Sequence, residues 1–201
     1  MKYLLSMIML AMTTLTTNAQ GVYNKAAKQN SLPLVNEWDK TFPKSDKVRH
    51  EKVTFSNRFG ITLAADLYMP KETNGKMTAI AVSGPFGAVK EQASGLYAQH
   101  LAEDGFLTIA FDPSFTGEPR YSSSMDINTE DFCAAVDYLS CRDDVDAERI
   151  GILGICGWGG IALNAAALDP RIKATVSVTL YNLTRVTQQG YFATMAENGR
   201  F

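Results

Sequence analysis

Between Arg149 and Gly160 the chain reads RIGILGICGWGG, an order that few folds accept. Ile150, Ile152 and Leu153 make a short apolar strand. Gly154, Gly157, Gly159 and Gly160 permit a cramped turn, and Ile161 to Leu168 continue as a helix of small and apolar residues. Cys156 then stands on a sharp strand-to-helix turn, clear of the sheet. There the first N–H groups of the helix and its dipole favour an anion. A thiolate gains from such a field, so the position suits covalent catalysis.

The spacing is that of a nucleophile elbow, G-x-S-x-G, read here as Gly154-Ile155-Cys156-Gly157-Trp158. Cysteine replaces the serine and tryptophan replaces the last glycine. A register two residues later would centre on Trp158, which has no nucleophile. The earlier register leaves a strand of ordinary length after Arg149 and is preferred. Cys156 also fits a plainer reading, as a small hydrophobe packed beneath a glycine turn.

Periodicity along the chain predicts strands at Lys52 to Phe55 and Ile61 to Met69, joined by a hairpin turn over Asn57 to Gly60. A buried strand follows at Met77 to Val82. The loop Ser83-Gly84-Pro85-Phe86-Gly87 leads to a helix over Lys90 to Asp104, stopped by Gly105. Further strands are predicted at Phe106 to Phe111, at the turn segment and at Ile172 to Leu180, with a helix over Asp126 to Ser140. Strands that alternate with helices imply an α/β fold, a mainly parallel sheet with helices on both faces. The charged pair Lys90-Glu91 reads as a solvated helix start.

Hydrophobic residues make up 46% of 201, enough for one domain with a sizeable core. The net charge of −2 and the lack of a basic cluster argue against nucleic acid as a partner. Lys2, the apolar stretch Leu4 to Met12 and the small-residue site Thr17-Asn18-Ala19 read as an export leader over 1–19, cleaved near Ala19. Residues 20–49 then form an N-terminal extension, and a periplasmic or secreted protein is expected. No later segment approaches the ~20 apolar residues of a membrane span. Cys133 and Cys141 fall near the two ends of one predicted helix, roughly 12 Å apart along its axis, too far to bridge. No metal-ligand spacing or phosphate-binding loop is present, and no cofactor is expected.

The order of elements resembles the α/β-hydrolase fold, in particular exported bacterial hydrolases related to dienelactone hydrolases and peptidase-like esterases. The resemblance covers about residues 50 to 185. It rests on Gly84-Pro85-Phe86-Gly87 with Lys90-Glu91-Gln92, Phe111-Asp112-Pro113-Ser114 with Gly117-Glu118-Pro119-Arg120, Val136-Asp137-Tyr138-Leu139, and Arg149 to Gly160. Dienelactone hydrolases use a cysteine in this elbow, which the resemblance carries onto Cys156. The resemblance further implies an oxyanion hole built from the backbone N–H groups of Gly157 and Phe86, since Pro85 has none to offer. The implied substrate is a small molecule with an ester, lactone or related acyl bond.

The acid and the histidine of such a site follow the nucleophile in family order, and no histidine follows Cys156. His50 reads as a solvated edge residue, and His100 as a surface or packing residue on the helix after the third strand. Asp169 falls at the sheet end opposite the elbow, and Glu197 cannot replace an imidazole. The resembling fold has two more strands than can be read here. A partial hydrolase domain over 50–201, weak in turnover without them, is therefore expected. The alternative is a non-catalytic binding or interaction remnant of the same fold. Tyr181, Tyr191 and Phe192 are candidate pocket aromatics, or simply cover the sheet end. Oligomeric state is not legible.

Overall fold

The computed structural model describes Leu34, residues 37–116 and residues 125–190. The expected leader, residues 117–120, Tyr191, Phe192 and Glu197 lie outside the described residues.

Strands β1 (Val48–Ser56) and β2 (Thr62–Pro70) form an antiparallel hairpin, in register from Val48 opposite Pro70 to Ser56 opposite Thr62. Its turn is built by Asn57, whose Oδ1 accepts hydrogen bonds from the N–H groups of Phe59 and Ile61, both at 3.0 Å. Strands β3 (Met77–Ser83), β4 (Leu107–Phe111), β5 (Val145–Ile155) and β6 (Ile172–Val178) complete a six-stranded sheet of order β1-β2-β4-β3-β5-β6. The contacts β4/β3, β3/β5 and β5/β6 are parallel, and β2 runs antiparallel to β4. This is the mainly parallel sheet that the alternation of elements predicts.

Helix α1 (Ala93–Glu103) packs on one face, while α2 (Met125–Ser140) and α3 (Gly157–Leu168) pack on the other; a short α4 (Leu183–Gln189) follows β6. Every residue of β4 is buried, as a strand covered on both faces requires. The larger core holds Leu67, Ile109, Phe111, Phe132, Leu139 and Ile152, each 1% exposed or less. Burial of each such side chain contributes roughly 1.5–3 kcal/mol. The opposite face buries Tyr68, Val82, Ala98 and Leu153 together with Phe42. Phe42 belongs to the stretch read from sequence as an extension, yet it is part of this core.

Three boundaries differ from the periodicity for physical reasons. Helix α3 begins at Gly157, four residues early, because sheet packing outweighs the poor helix propensity of its glycines. Strand β6 stops at Val178 because Thr179 turns the chain at φ 51°. Helix α1 begins at Ala93, since Lys90 is held in a preceding turn.

Beyond the turn of the hairpin lies a buried carboxylate. Asp131 Oδ1 accepts from Asn57 Nδ2 and Ser114 Oγ, both at 2.8 Å, and Oδ2 accepts from the Ser114 N–H at 2.8 Å and Asn128 Nδ2 at 3.3 Å. One side chain of α2 therefore joins the hairpin turn to the loop after β4.

Candidate active site

Helix α3 starts where β5 ends, and Cys156 is the single residue between them. Its φ of 60° and ψ of −126° are costly for a residue with a Cβ and are held by the structure around it. The Cys156 N–H donates to Val178 O at 2.8 Å, and its carbonyl accepts from the Gly159 N–H at 3.0 Å. Such a close return is possible only because Gly154 has no side chain: a Cβ there would stand 2.2 Å from Trp158 O. Trp158 is 2% exposed and packs near Phe132, with ring centroids 5.9 Å apart. The turn is thus centred on Cys156, and the later register, centred on Trp158, points into the core. Cys156 is a half-buried free thiol, and Cys133 and Cys141 are also free.

The loop after β3 reaches the same place. Gly84 fits beneath the turn, where a Cβ would meet Ile155 O at 2.4 Å and Trp158 Cβ at 2.8 Å. Two residues on, Phe86 lies beside Gly157: a Cβ built on Gly157 would fall 3.6 Å from Phe86 Cβ. Among the described residues neither the Phe86 N–H nor the Gly157 N–H has a backbone acceptor. Two unpaired backbone donors next to a turn thiol can hold developing negative charge on a carbonyl oxygen.

The same point on Gly157 is 3.2 Å from Tyr181 Oη and 3.4 Å from Leu183 Cδ2. Both residues also line a cleft of about 320 Å³ with Met125, Ile161, Asn164 and Leu180. The cleft therefore opens beside the turn. Its walls mix apolar side chains with the polar groups of Asn164, Tyr181, Asn182 and Thr184.

Neither histidine approaches Cys156. His50 shares a register row with Tyr68, Thr108, Ile80 and Gly151, so four strand spacings, about 19 Å, separate it from β5. His100 is exposed on α1 and bonds Glu103 at 3.0 Å. Asp169 precedes β6 at the far sheet end, where Arg171 Nη2 binds it at 2.6 Å. Those hydrogen bonds from Arg171 hold its carboxyl below the ordinary range.

Two expectations require correction. His50 is no solvated edge residue: it packs against Trp38 and Tyr68, and its Nε2 lies 2.8 Å from Asp66 Oδ1. Asp66 is fully buried and also pairs with the fully buried side chain of Lys40, at 2.8 Å. Burial works against this carboxylate, yet the bonds from His50 and Lys40 prevail and keep it below its usual range. Nor is Lys90-Glu91 a solvated helix start. Lys90 is 7% exposed, its N–H donates to Asp112 Oδ1 at 2.7 Å, and its Nζ reaches Asp112 Oδ2 at 2.9 Å. Burial disfavours the ammonium, but Asp112 and Glu91 outweigh it and hold Lys90 above its ordinary range.

The sequence profile of PET hydrolase-like proteins matches residues 43–196. This chain belongs to the PET hydrolase-like family. An uncharacterized Pseudomonas aeruginosa protein, PA2218, is 61% identical over 173 residues, 84% of this chain and 47% of its own length. The PA2218 crystal structure superimposes with a TM-score of 0.78, covering 80% of this chain and 52% of that one. Escherichia coli YcjY, also uncharacterized, is 43% identical over 71% of this chain and 49% of its own length. The cutinase Est1 of Thermobifida alba is 30% identical over 59% of this chain and 40% of its own. The chain thus spans about half the length of PA2218 and of YcjY. In fold it is similar to a putative dienelactone hydrolase from Klebsiella pneumoniae, at 22% identity and a TM-score of 0.58, over 68% of this chain and 61% of that one. The α/β-hydrolase fold is the one the sequence resemblance implies, whereas the PET hydrolase-like family is a group that resemblance did not name.

Proposed function

We propose that this chain supplies the nucleophile and the oxyanion hole of a hydrolase acting on esters, lactones or related acyl bonds. The observation that carries this reading is the strained Cys156 at the head of α3, with Gly157 following it and Phe86 packed beside Gly157, neither N–H having a backbone acceptor among the described residues. In the proposed step the Cys156 thiolate attacks the acyl carbon, and the carbonyl oxygen takes the negative charge and is held by the N–H groups of Phe86 and Gly157. The acyl C–O bond then breaks, the alkoxide or phenolate leaves and takes any proton it needs from water, and the acyl group stays on sulfur. Similarity to a cutinase supports an ester as the bond attacked. Water must afterwards cleave the thioester, and that half-reaction needs a general base. Neither His50 nor His100 reaches Cys156, so acylation without rapid turnover is the behaviour proposed for these 201 residues. The segment Lys2 to Ala19 supports an exported location as part of the same proposal.

The test uses p-nitrophenyl acetate at about pH 9, where an ordinary thiol is largely ionised without help from a base. One equivalent of p-nitrophenolate is expected, with an acetyl group on the peptide that contains Cys156. An acetyl group confined to Cys133 or Cys141 would remove Cys156 from the proposal.

A further inference from the structure

The loop that carries Phe86 is secured at two points. At its start, Ser83 Oγ donates to Phe111 O at 3.2 Å, and Gly84 is wedged against Ile155 O and Trp158. At its end, the carboxylate of Asp112 takes both the backbone N–H and the Nζ of Lys90, at 2.7 and 2.9 Å. The five residues between, 85–89, make one turn closed by the Ala88 N–H to Pro85 O at 3.0 Å. Phe86 itself gains little support from packing, since it is 56% exposed.

Asp112 is suited to hold this end. It follows β4 directly, and its own N–H donates to Ala64 O of β2 at 2.9 Å, so the carboxylate is fixed to the sheet. Lys90 in turn contacts Glu91, whose carbonyl accepts from the Thr41 N–H at 3.0 Å. A buried ion pair contributes little net stability and is used where geometry must be specified.

We infer that Lys90 and Asp112 are positioning residues for acyl transfer, clamping the loop after β3 so that Phe86 stays beside Gly157 and its N–H is available to the oxyanion. The inference rests on the proposed role of Cys156. With the clamp present, one oxyanion donor needs no reorganisation as charge develops. Without it the donor is free to swing away, and only the step that builds an oxyanion suffers.

Two reactions of the same thiol separate this from a merely structural role. Alkylation of Cys156 by iodoacetamide forms no oxyanion, whereas acetylation by p-nitrophenyl acetate does. Both rates are read at about pH 9 by mass spectrometry of the Cys156 peptide, in the full 201-residue chain. In Lys90→Met, acetylation is expected to fall by at least about tenfold while alkylation holds, because loosening a donor forfeits part of the 10²–10³ a donor supplies. Because that variant leaves the buried Asp112 carboxylate without an ammonium, though still bonded to the backbone N–H of residue 90, the double variant Lys90→Met/Asp112→Asn is measured beside it and is expected to show the same selective loss, and Lys90→Arg is expected to restore acetylation. Equal loss in both reactions, or no loss in either, overturns the inference. If the unaltered chain is alkylated but never acetylated at Cys156, the proposed function fails as well.

Discussion

The N–H of Cys156 donates to Val178 O at 2.8 Å, which extends the β5/β6 ladder by one rung into the turn itself. The φ of 60° at Cys156 is thus held from both sides, by Val178 at the end of β6 and by the Gly159 N–H of α3 on its carbonyl. Cys156→Gly removes the Cβ that makes this conformation costly. It is expected to raise the unfolding free energy by about 1 kcal/mol, the relief exceeding the entropy cost of glycine. Urea midpoints at constant m-value would show it; a destabilised Cys156→Gly would mean that the turn is not strained.

Gly154→Ala tests the contact that brings α3 against β5. Its Cβ would overlap the Trp158 carbonyl, a backbone atom that cannot rotate away. A loss of about 3 kcal/mol is expected, at the upper end for overpacking. A change within about 0.5 kcal/mol would show that the helix start is freer to move than the packing implies.

Removal of Asp131 takes away four hydrogen bonds at once: the N–H and hydroxyl of Ser114 lose this acceptor, and Asn57 Nδ2 and Asn128 Nδ2 keep only their bonds to Ser114, at 3.2 and 3.3 Å. Asp131→Ala is expected to cost about 3 kcal/mol. The exposed Asp143→Ala should stay within about 0.5 kcal/mol. Comparable midpoints for the two would refute the network's role.

Strong acid should loosen the segment before β1. Burial opposes ionisation of Asp39, but hydrogen bonds from Lys40 and Lys52 prevail and lower its pKa from 3.8 to about 2. A folded-state pKa below the unfolded one contributes stability that is complete above pH 3.8 and is lost as pH falls toward 2. Trp38 fluorescence is expected to change over that window in the unaltered chain and to lose this transition in Asp39→Asn. An identical acid transition in both would exclude Asp39 as its source.

The strand-to-helix turn at Cys156 was legible because its signal is local: Gly154, Cys156 and Gly157 lie within four residues, and the apolar runs on either side differ in period. The strands were legible for the same reason. What escaped were polar groups whose partners are distant in sequence. Lys90 meets Asp112 from 22 residues away, His50 meets Asp66 from 16, and Asn57 meets Asp131 from 74. A charged residue predicts solvent unless its partner is known, and pattern within a window of one helix cannot supply that partner. His50 and Lys90 were misplaced for this one reason.

Lys40 reaches back over the sheet to a carboxylate with no access to water, and Lys52 of β1 grips the adjacent Asp39. The stretch from Trp38 to Phe42 is thus bound to the sheet by charge as well as by its aromatic rings. A recombinant version cut at the first strand would bury Asp66 without its ammonium and uncover Phe42's side of the core. The shortest soluble version worth making therefore starts upstream of Trp38, a choice that a strand map alone would have set a dozen residues too late.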